Sequence, residues 1–367
     1  MKFWLEYGTW IRVVPLLVMT LLFCSGCWDK KELNQLALAQ VIAIDYKDSQ
    51  YQTALQLIIP SADKETVTSD NLWTMTGTGT SVGETMQQIA LAAPREIYLD
   101  HLDLVILGDG VLRHDVGQAL DYLLKENVLR RRTRLLAIEG DAGKLLSDSA
   151  ELAKMDIFYM DNLLKDQRRR VHSSDAIVNA YFLSAHNGLA ETIVIPHLVL
   201  EEKKELRLEG AALVRDGALA DWVDKDWLSG YYWTVGGSEI VTLPDEYGQI
   251  VVELDKKKCK WEIQSEEPLQ IKATLRAVIK IISGYDSWRD SAEAEKVIHS
   301  IQTRVEEQAL EHIRDTFQQA QKDGTDVFHM GRWLYAWHPE LVHADKWPEQ
   351  FAAMPVVFEI NTSIEIQ

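Results

Sequence analysis

Apolar side chains alternate with polar ones along several stretches of the chain, as they do in β-strands that bury one face. The longest alternation covers residues 269–281, and a second one covers residues 51–59. Residues 36–46 form instead a nearly continuous apolar run of strand length. Further strands are predicted at residues 74–80, 97–108, 135–139, 192–200, 206–214, 219–223 and 355–366.

Helical segments are marked by apolar residues that recur every three or four positions. The longest stripe covers residues 291–321 and ends before Gly324. A shorter helix is predicted after Ser81, which has Glu84 three positions later in the spacing of a capping box, and Pro94 ends it. Further helices are predicted at residues 116–127, 174–186 and 327–337.

The order of these segments predicts the fold class. Strands alternate with helices, which indicates a mixed α/β (α+β) fold with several small domains, each a mixed or antiparallel sheet with packed helices. The charged stretch at residues 201–205 is the main predicted boundary. We expect residues 27–200 to form an N-terminal α/β region of one or two subdomains, and residues 206–367 to form a C-terminal α/β domain that contains the long helix.

The N-terminus has the pattern of a bacterial lipoprotein signal peptide. An apolar run from Val13 to Phe23 follows two basic residues, and two small residues precede Cys27. A signal-anchor helix is the alternative, but the run has only half of the roughly 20 residues that a spanning helix needs. We therefore predict that residues 1–26 are a signal peptide and that Cys27 is the first residue of the mature protein.

This pattern implies that the Cys27 sulfur carries a diacylglycerol and that its amino group can receive an acyl chain such as palmitate. Each buried methylene contributes about 0.8 kcal/mol, so two or more chains hold a protein durably on a bilayer. Cys24 leaves with the signal peptide and Cys259 remains alone in the folded part, which excludes an intramolecular disulfide. We expect a membrane anchor at Cys27.

Composition limits the classes of partner. The chain of 367 residues has 47% hydrophobic residues and twelve tryptophans, enough to bury a large core. Its formal charge is −18, and removal of residues 1–26 makes it one unit more negative because two basic residues and one acidic residue leave. We expect such an acidic protein neither to bind nucleic acid nor to adhere electrostatically to anionic lipid.

A few side chains are candidates for chemistry, although no familiar catalytic motif occurs and neither a cofactor nor a metal site is expected. His101 and Asp103 could form a ligand or acid–base pair, but structural hydrogen bonding is the favoured interpretation. His329 and His338 flank an aromatic stretch for which packing in the core or between domains is favoured over a metal, ligand or partner site.

Two arginine clusters, at residues 130–134 and 168–170, stand out in so acidic a chain. Solvated faces are the favoured interpretation, and contact with the membrane or with an acidic loop of a partner is the alternative. Trp28 lies next to the predicted lipid, where an aromatic ring could rest at the level of the headgroups.

Several blocks of the sequence resemble the Ger(x)C family, the lipoprotein C subunits of nutrient germinant receptors in endospore-forming bacteria. The first block runs from Gly26 to Asn34 and continues at Val41 to Asp45, within the strand predicted at residues 36–46. The others are residues 94–108, residues 123–131, residues 210–214 and the closing set Asp326, Phe328, Gly331, Tyr335, Pro339 and Trp347. The chain departs from the family pattern at Ala43, Lys125, Glu126 and Val214.

The resemblance implies a mixed α/β protein of three small domains, lipid-anchored on the outer face of the spore inner membrane. It implies integral membrane A-type and B-type receptor subunits as partners, a role in nutrient-triggered germination and no catalytic activity. Direct binding of a nutrient is left open. The alternatives are a solute-binding lipoprotein of a membrane transporter, which would need a deep cleft between two lobes, and a lipid-anchored hydrolase, which would need a nucleophile and a base.

Overall fold

A computed structural model describes residues 35–60, 72–126, 128–129, 133–148, 189, 192–200, 206–235, 240–245, 248–284 and 294–365. The strands are β1 (Leu36–Lys47), β2 (Gln50–Ile58), β3 (Leu72–Gly79), β4 (Glu96–Tyr98), β5 (Leu104–Leu107), β6 (Arg134–Ala137), β7 (Thr192–Leu200), β8 (Leu206–Arg215), β9 (Ala218–Val223), β10 (Ile240–Asp245), β11 (Gly248–Glu266), β12 (Leu269–Ser283) and β13 (Val356–Glu365). The α-helices are α1 (Val82–Ala92), α2 (Asp109–His114), α3 (Val116–Lys125), α4 (Ala142–Asp148), α5 (Lys225–Thr234), α6 (Ala294–Lys322), α7 (Met330–Trp337) and α8 (Trp347–Ala353).

The first sheet has nine strands in the order β3-β2-β1-β5-β6-β7-β8-β9, and β4 pairs with the start of β1. Its centre is parallel, because β1, β5, β6 and β7 run in the same direction. Antiparallel pairs add β2 and β3 at one side and β8 and β9 at the other. The predicted mixed α/β fold is therefore confirmed.

Both faces of this sheet are covered near β1. Ile42 and Ile44 pack with α1, α2 and α3 on one face, whereas Ala43 packs with Ala142 and Leu146 of α4 on the other. A strand that is buried on both faces needs apolar residues at successive positions, which explains the continuous run in the sequence.

The second sheet has four strands in the order β10-β11-β12-β13, of which β12 and β13 are parallel. The long helix α6 follows β12, and α7 and α8 come between α6 and β13. Helix α6 buries one stripe that includes Ile301, Val305 and Ile313. The inner positions of β12 are buried, while its outer positions include the exposed Arg276 and Ile282. The predicted strand at 269–281 and the predicted long helix are confirmed.

The turn between β8 and β9 joins the two sheets. Arg215, the last residue of β8 before this turn, donates from Nη1 to the carbonyl oxygens of Asp323 (2.7 Å) and Gly324 (3.3 Å), just after α6. Gly217 has a φ of 82° and accepts the N–H of Val116, at the start of α3, over 2.7 Å. One hydrophobic core also includes Leu213 of the first sheet and residues of the second. The end of β8 and the turn after it therefore contact the start of α3, which packs on the first sheet, and the chain just after α6, which packs on the second.

Some predicted elements differ from the structure. The strand predicted at 97–108 is wrong as a single element, because a 3-10 turn at Leu99–His101 separates β4 from β5. The helix predicted at 327–337 begins only at Met330, because His329 adopts a left-handed conformation with a φ of 55°. Strand β11 and helix α5 were not predicted. The helix predicted at 174–186 lies outside the described residues, and the domain division near residue 201 stays a prediction.

Candidate functional site: two buried carboxylates and an exposed aromatic face

Asp45 is a buried carboxylate at the end of β1. One carboxylate oxygen accepts the N–H of Tyr46 over 2.8 Å, and the other accepts the N–H of Ala142, in the first turn of α4, over 3.1 Å. Burial raises the pKa of Asp45 and the charge of Asp141 adds to this, while hydrogen bonds from the N–H groups of Tyr46, Ala142 and Val111 act in the opposite direction. Asp45 therefore ties the end of β1 to the starts of α2 and α4.

Two glycines make room for this carboxylate. A Cβ atom at Gly108 would overlap the carboxylate of Asp45, and one at Gly110 would overlap the carbonyl oxygen of Tyr46. Gly108 is the last residue of the second block that resembles the Ger(x)C family, and Asp45 is the last residue of the segment that continues the first block. The structure thus brings two separate sequence blocks together. Because the oxygens of Asp45 are occupied by backbone N–H groups, the arrangement is suited to support rather than to catalysis.

Asp326 has a similar role near the C-terminus, where it is 4% exposed. One of its oxygens accepts the N–H of Met330 over 3.0 Å. The other accepts the N–H of Gly331 over 2.7 Å and the indole N–H of Trp347 over 3.1 Å. The carboxylate satisfies N–H groups that the first turn of α7 leaves without a partner in the helix, and it links α7 to α8.

Gly331 and Trp347 pack directly against each other. A Cβ atom at Gly331 would lie 2.6 Å from the indole ring of Trp347, which is 1% exposed. Phe328 is also buried, and its ring lies 5.3 Å from that of Phe317 in α6. Four residues of the closing block, Asp326, Phe328, Gly331 and Trp347, therefore hold one compact unit against α6.

The aromatic stretch between the two histidines divides into a buried and an exposed part. Trp333 packs partly against the core, as predicted. The prediction of packing in the core is wrong for Tyr335 and Trp337, which are 40% and 73% exposed. The short helix α7 buries Met330, Gly331 and Leu334, and its last three residues, 335–337, are exposed. Exposed aromatic side chains of this size are typical of contact surfaces.

His329 and His338 lie at opposite ends of α7 and do not form a common site. The Nδ1 atom of His338 lies 3.5 Å from a carboxylate oxygen of Glu340. Within the part of the chain that the structure describes, no group of three or more His, Cys, Asp or Glu side chains could hold a metal ion.

His101 and Asp103 follow β4, and His101 is exposed. His101 lies in the 3-10 turn, and its ring centroid is 5.6 Å from that of Tyr98. The backbone of Asp103 donates to Gln40 over 2.9 Å and accepts from Arg134 over 2.8 Å. These bonds involve only the backbone of Asp103, so the structural interpretation of the pair stays a prediction.

One histidine contact was not predicted from the sequence. The Ser229 Oγ and the His312 Nδ1 lie 2.6 Å apart where α5 crosses α6. Ser229 is only 4% exposed, and a Cβ atom at the neighbouring Gly230 would overlap the carbonyl oxygen of His312. A nucleophile needs access to substrate, so we interpret this pair as a helix-packing contact. A serine and a histidine 83 residues apart give no signal in sequence alone.

The described residues do not include Cys27, Trp28, Arg130 to Arg132 or Arg168 to Arg170, so what the sequence predicts for them stays a prediction. Arg134 is described, as the first residue of β6. Among the helices that the structure describes, none is both long and apolar enough to cross a bilayer.

Comparison with known families covers almost the whole chain. Residues 29–200 match the family described as "Spore germination protein N-terminal domain", and residues 209–366 match "Spore germination B3/ GerAC like, C-terminal". The chain belongs to this GerAC-like family of spore germination proteins. The resemblance to the Ger(x)C family is thereby confirmed.

Relatives of this GerAC-like protein span a similar length. Spore germination protein B3 of Bacillus subtilis (strain 168) is 23% identical over 94% of each chain. Spore germination protein KC of the same organism is 20% identical over 95% of this chain and 94% of its own. A solved structure titled "Crystal Structure of the GerBC protein" is 19% identical, with a TM-score of 0.54 over 88% of this chain and 96% of that chain. This likeness supports the same fold.

Proposed function

We propose that the protein is a lipid-anchored, non-enzymatic subunit of a spore nutrient germinant receptor, required for nutrient-triggered germination. The observation that carries this proposal is the match of residues 29–200 and 209–366 to the two parts of the spore germination family. The matched region begins two positions after Cys27, so the predicted anchor stands directly before the family domain.

The proposed location is the outer face of the spore inner membrane, beside integral membrane A-type and B-type subunits. A covalent anchor suits a chain with a formal charge of −18, which anionic lipid would not attract. Tyr335 and Trp337 are the exposed aromatic side chains that would best fit a contact with a partner subunit.

A non-enzymatic role agrees with the chemistry of the buried polar groups. The carboxylates of Asp45 and Asp326 are occupied by hydrogen bonds from the chain itself, and Ser229 is enclosed between helices. A catalytic acid, base or nucleophile must instead reach a substrate. The alternative of a transporter solute-binding lipoprotein has no support from the matched families.

The anchor is tested with spores that carry Cys27→Ala, with Cys24→Ala as the matched control. Cys24 precedes the predicted cleavage site, so its replacement leaves the lipid-bearing cysteine in place. We expect Cys27→Ala to abolish both membrane retention of the protein and the germination response to nutrient, and Cys24→Ala to preserve both. Normal germination with the altered protein absent from the membrane fraction would contradict the proposal.

A further inference from the structure

Strand β13 is the last strand at one side of the second sheet, so one of its edges has no neighbouring strand among the described residues. On the other edge, the N–H of Ile271 in β12 donates to the carbonyl oxygen of Pro355 over 3.2 Å. Successive residues of a strand direct their backbone N–H and C=O groups to opposite edges. The backbone groups of Phe358, Ile360 and Thr362 therefore point away from β12, where a further strand can pair with them.

Two side chains of α6 occupy part of this outer edge. Glu306 Oε1 accepts the N–H of Thr362 over 2.7 Å and the hydroxyl of Thr362 over 3.0 Å. Gln302 Nε2 donates to the carbonyl oxygen of Thr362 over 3.1 Å. Gln302 and Glu306 lie one helical turn apart, so both reach the same residue of the strand. Because both outward backbone groups of Thr362 already have partners, an added strand cannot pair there without displacing them.

The part of the edge before Thr362 is open. Among the residues that the structure describes, the outward N–H groups of Phe358 and Ile360 have no hydrogen-bond acceptor. Residues 356–360 have the sequence VVFEI, which combines β-branched and aromatic residues with one charge and no proline. Segments of this composition pair readily with copies of themselves when an edge is exposed. A second copy of this chain is therefore the partner that the open edge fits best.

We propose that Gln302 and Glu306 prevent two copies of the protein from joining edge to edge through β13. Two β13 strands related by a two-fold axis run antiparallel, and their pairing can extend beyond Ile360 only if Thr362 leaves Glu306 and Gln302. The two side chains limit the open stretch to residues 356–360 of a strand of ten residues, and short edges pair weakly. The proposal goes beyond the proposed receptor function and does not depend on it.

Glu306→Ala removes the acceptor, and Glu307→Ala is the matched control, because Glu307 is an exposed residue of the same charge one position away. The mass of the full chain in detergent is measured by size-exclusion chromatography with light scattering over a range of concentrations. We expect Glu306→Ala to rise above the mass of the native protein as the concentration increases, by up to about twofold, and Glu307→Ala to match the native protein. A native mass for Glu306→Ala at every concentration, or equal association of the two variants, would overturn the proposal.

Glu306→Gln separates the hydrogen bonds from the charge. Its amide oxygen accepts the same two hydrogen bonds, while the negative charge that repels a second copy is lost. We expect Glu306→Gln to keep the mass of the native protein. Association as strong as that of Glu306→Ala would show that repulsion keeps the copies apart, and would overturn the role of the hydrogen bonds to Thr362.

Hydrogen exchange locates the contact between copies. In Glu306→Ala at high concentration, we expect the N–H groups of Phe358 and Ile360 to exchange at least about fivefold more slowly than in the native protein, because they enter a new ladder. Association without slower exchange at these two residues would place the contact elsewhere and overturn the proposal. Association with faster exchange throughout β12 would assign it to partial unfolding, with the same consequence.

Discussion

Asp45 and Asp326 use the same chemistry over very different distances in the chain. Each is a buried carboxylate that accepts N–H groups from the first turn of a helix, and each has a glycine nearby that allows close packing. Asp326 finds its partners within 21 positions, whereas Asp45 reaches Ala142, 97 positions away. The Asp326 carboxylate therefore stabilises a local unit of α7 and α8. The Asp45 carboxylate joins β1 to helices that are distant in the chain.

The largest expected effect is the loss of either carboxylate. Asp45→Ala and Asp326→Ala each leave buried N–H groups without an acceptor, and each such group costs about 1–3 kcal/mol. We expect either substitution to lower the free energy of unfolding by about 3 kcal/mol or more, as measured by chemical denaturation. Asp121→Ala is the control, because Asp121 forms an exposed pair with Lys125 and should cost less than about 1 kcal/mol.

Hydrogen exchange distinguishes the two carboxylates. We expect Asp326→Ala to accelerate exchange mainly at Met330 and Gly331, because its partners are local. Asp45→Ala should accelerate exchange in β1 and α4 together, since it connects them. The contrast between a local and a long-range role would be wrong if Asp326→Ala accelerated exchange in β1 and α4 as much as Asp45→Ala does.

A smaller effect is expected when the glycines beside the carboxylates are enlarged. Gly108→Ala places a methyl group against Asp45, and Gly331→Ala places one against Trp347. We expect each to lower the free energy of unfolding by about 1–3 kcal/mol, as overpacking usually does. Gly143→Ala in α4 is the control, because its nearest contact is 3.3 Å away and alanine favours a helix. A loss at Gly143 equal to that at Gly108 would show that close packing is not the cause.

The smallest effect concerns pH. Burial raises the pKa of Asp45 in the folded protein above the value of 3.8 of the free side chain, so the folded state binds the proton more tightly. The stability that this group contributes is present below pH 3.8 and is lost as the pH rises through the raised pKa. We expect the advantage of the native protein over Asp45→Asn to shrink as the pH rises through that window, measured by denaturation at several pH values.

The contribution of Glu84 to stability should change with pH in the opposite direction, which provides a check on the prediction for Asp45. The hydrogen bonds from the backbone and side chain of Thr80 lower the pKa of Glu84, so its contribution is present above its unfolded pKa and is lost as the pH falls. We expect the advantage of the native protein over Glu84→Gln to shrink on acidification. The same trend in both variants would indicate a global effect of acid rather than these two groups.

The capping box at Ser81 shows how far sequence spacing leads. Ser81 accepts the N–H of Glu84 over 3.2 Å, as predicted, and α1 ends at Ala92 before Pro94. The return hydrogen bond differs by one position, since Glu84 accepts the N–H of Thr80 over 2.7 Å. Local spacing identified the helix, and the path of the preceding strand selected the exact donor.

Strand β11 shows where the periodicity of apolar residues fails to predict a strand. Its inner face carries Lys257 and Cys259, where a buried strand usually carries apolar residues, and its outer face carries Lys258 and Lys260. Three irregularities in its pairing with β12 also shift the alternation of side chains. A pattern that mixes lysines on both faces is not typical of a strand, so β11 was recognisable only from its pairing.

The sequence by itself determined the family, the mixed α/β class, the long amphipathic helix and the alternating strand β12, because each depends on residues that are neighbours in the chain. The tertiary structure decided that Asp45 meets Gly108 and Ala142, and that Trp347 covers Gly331 while Trp337 faces solvent. These contacts join residues that are distant in sequence, and local periodicity carries no information about which distant segments the chain path brings together.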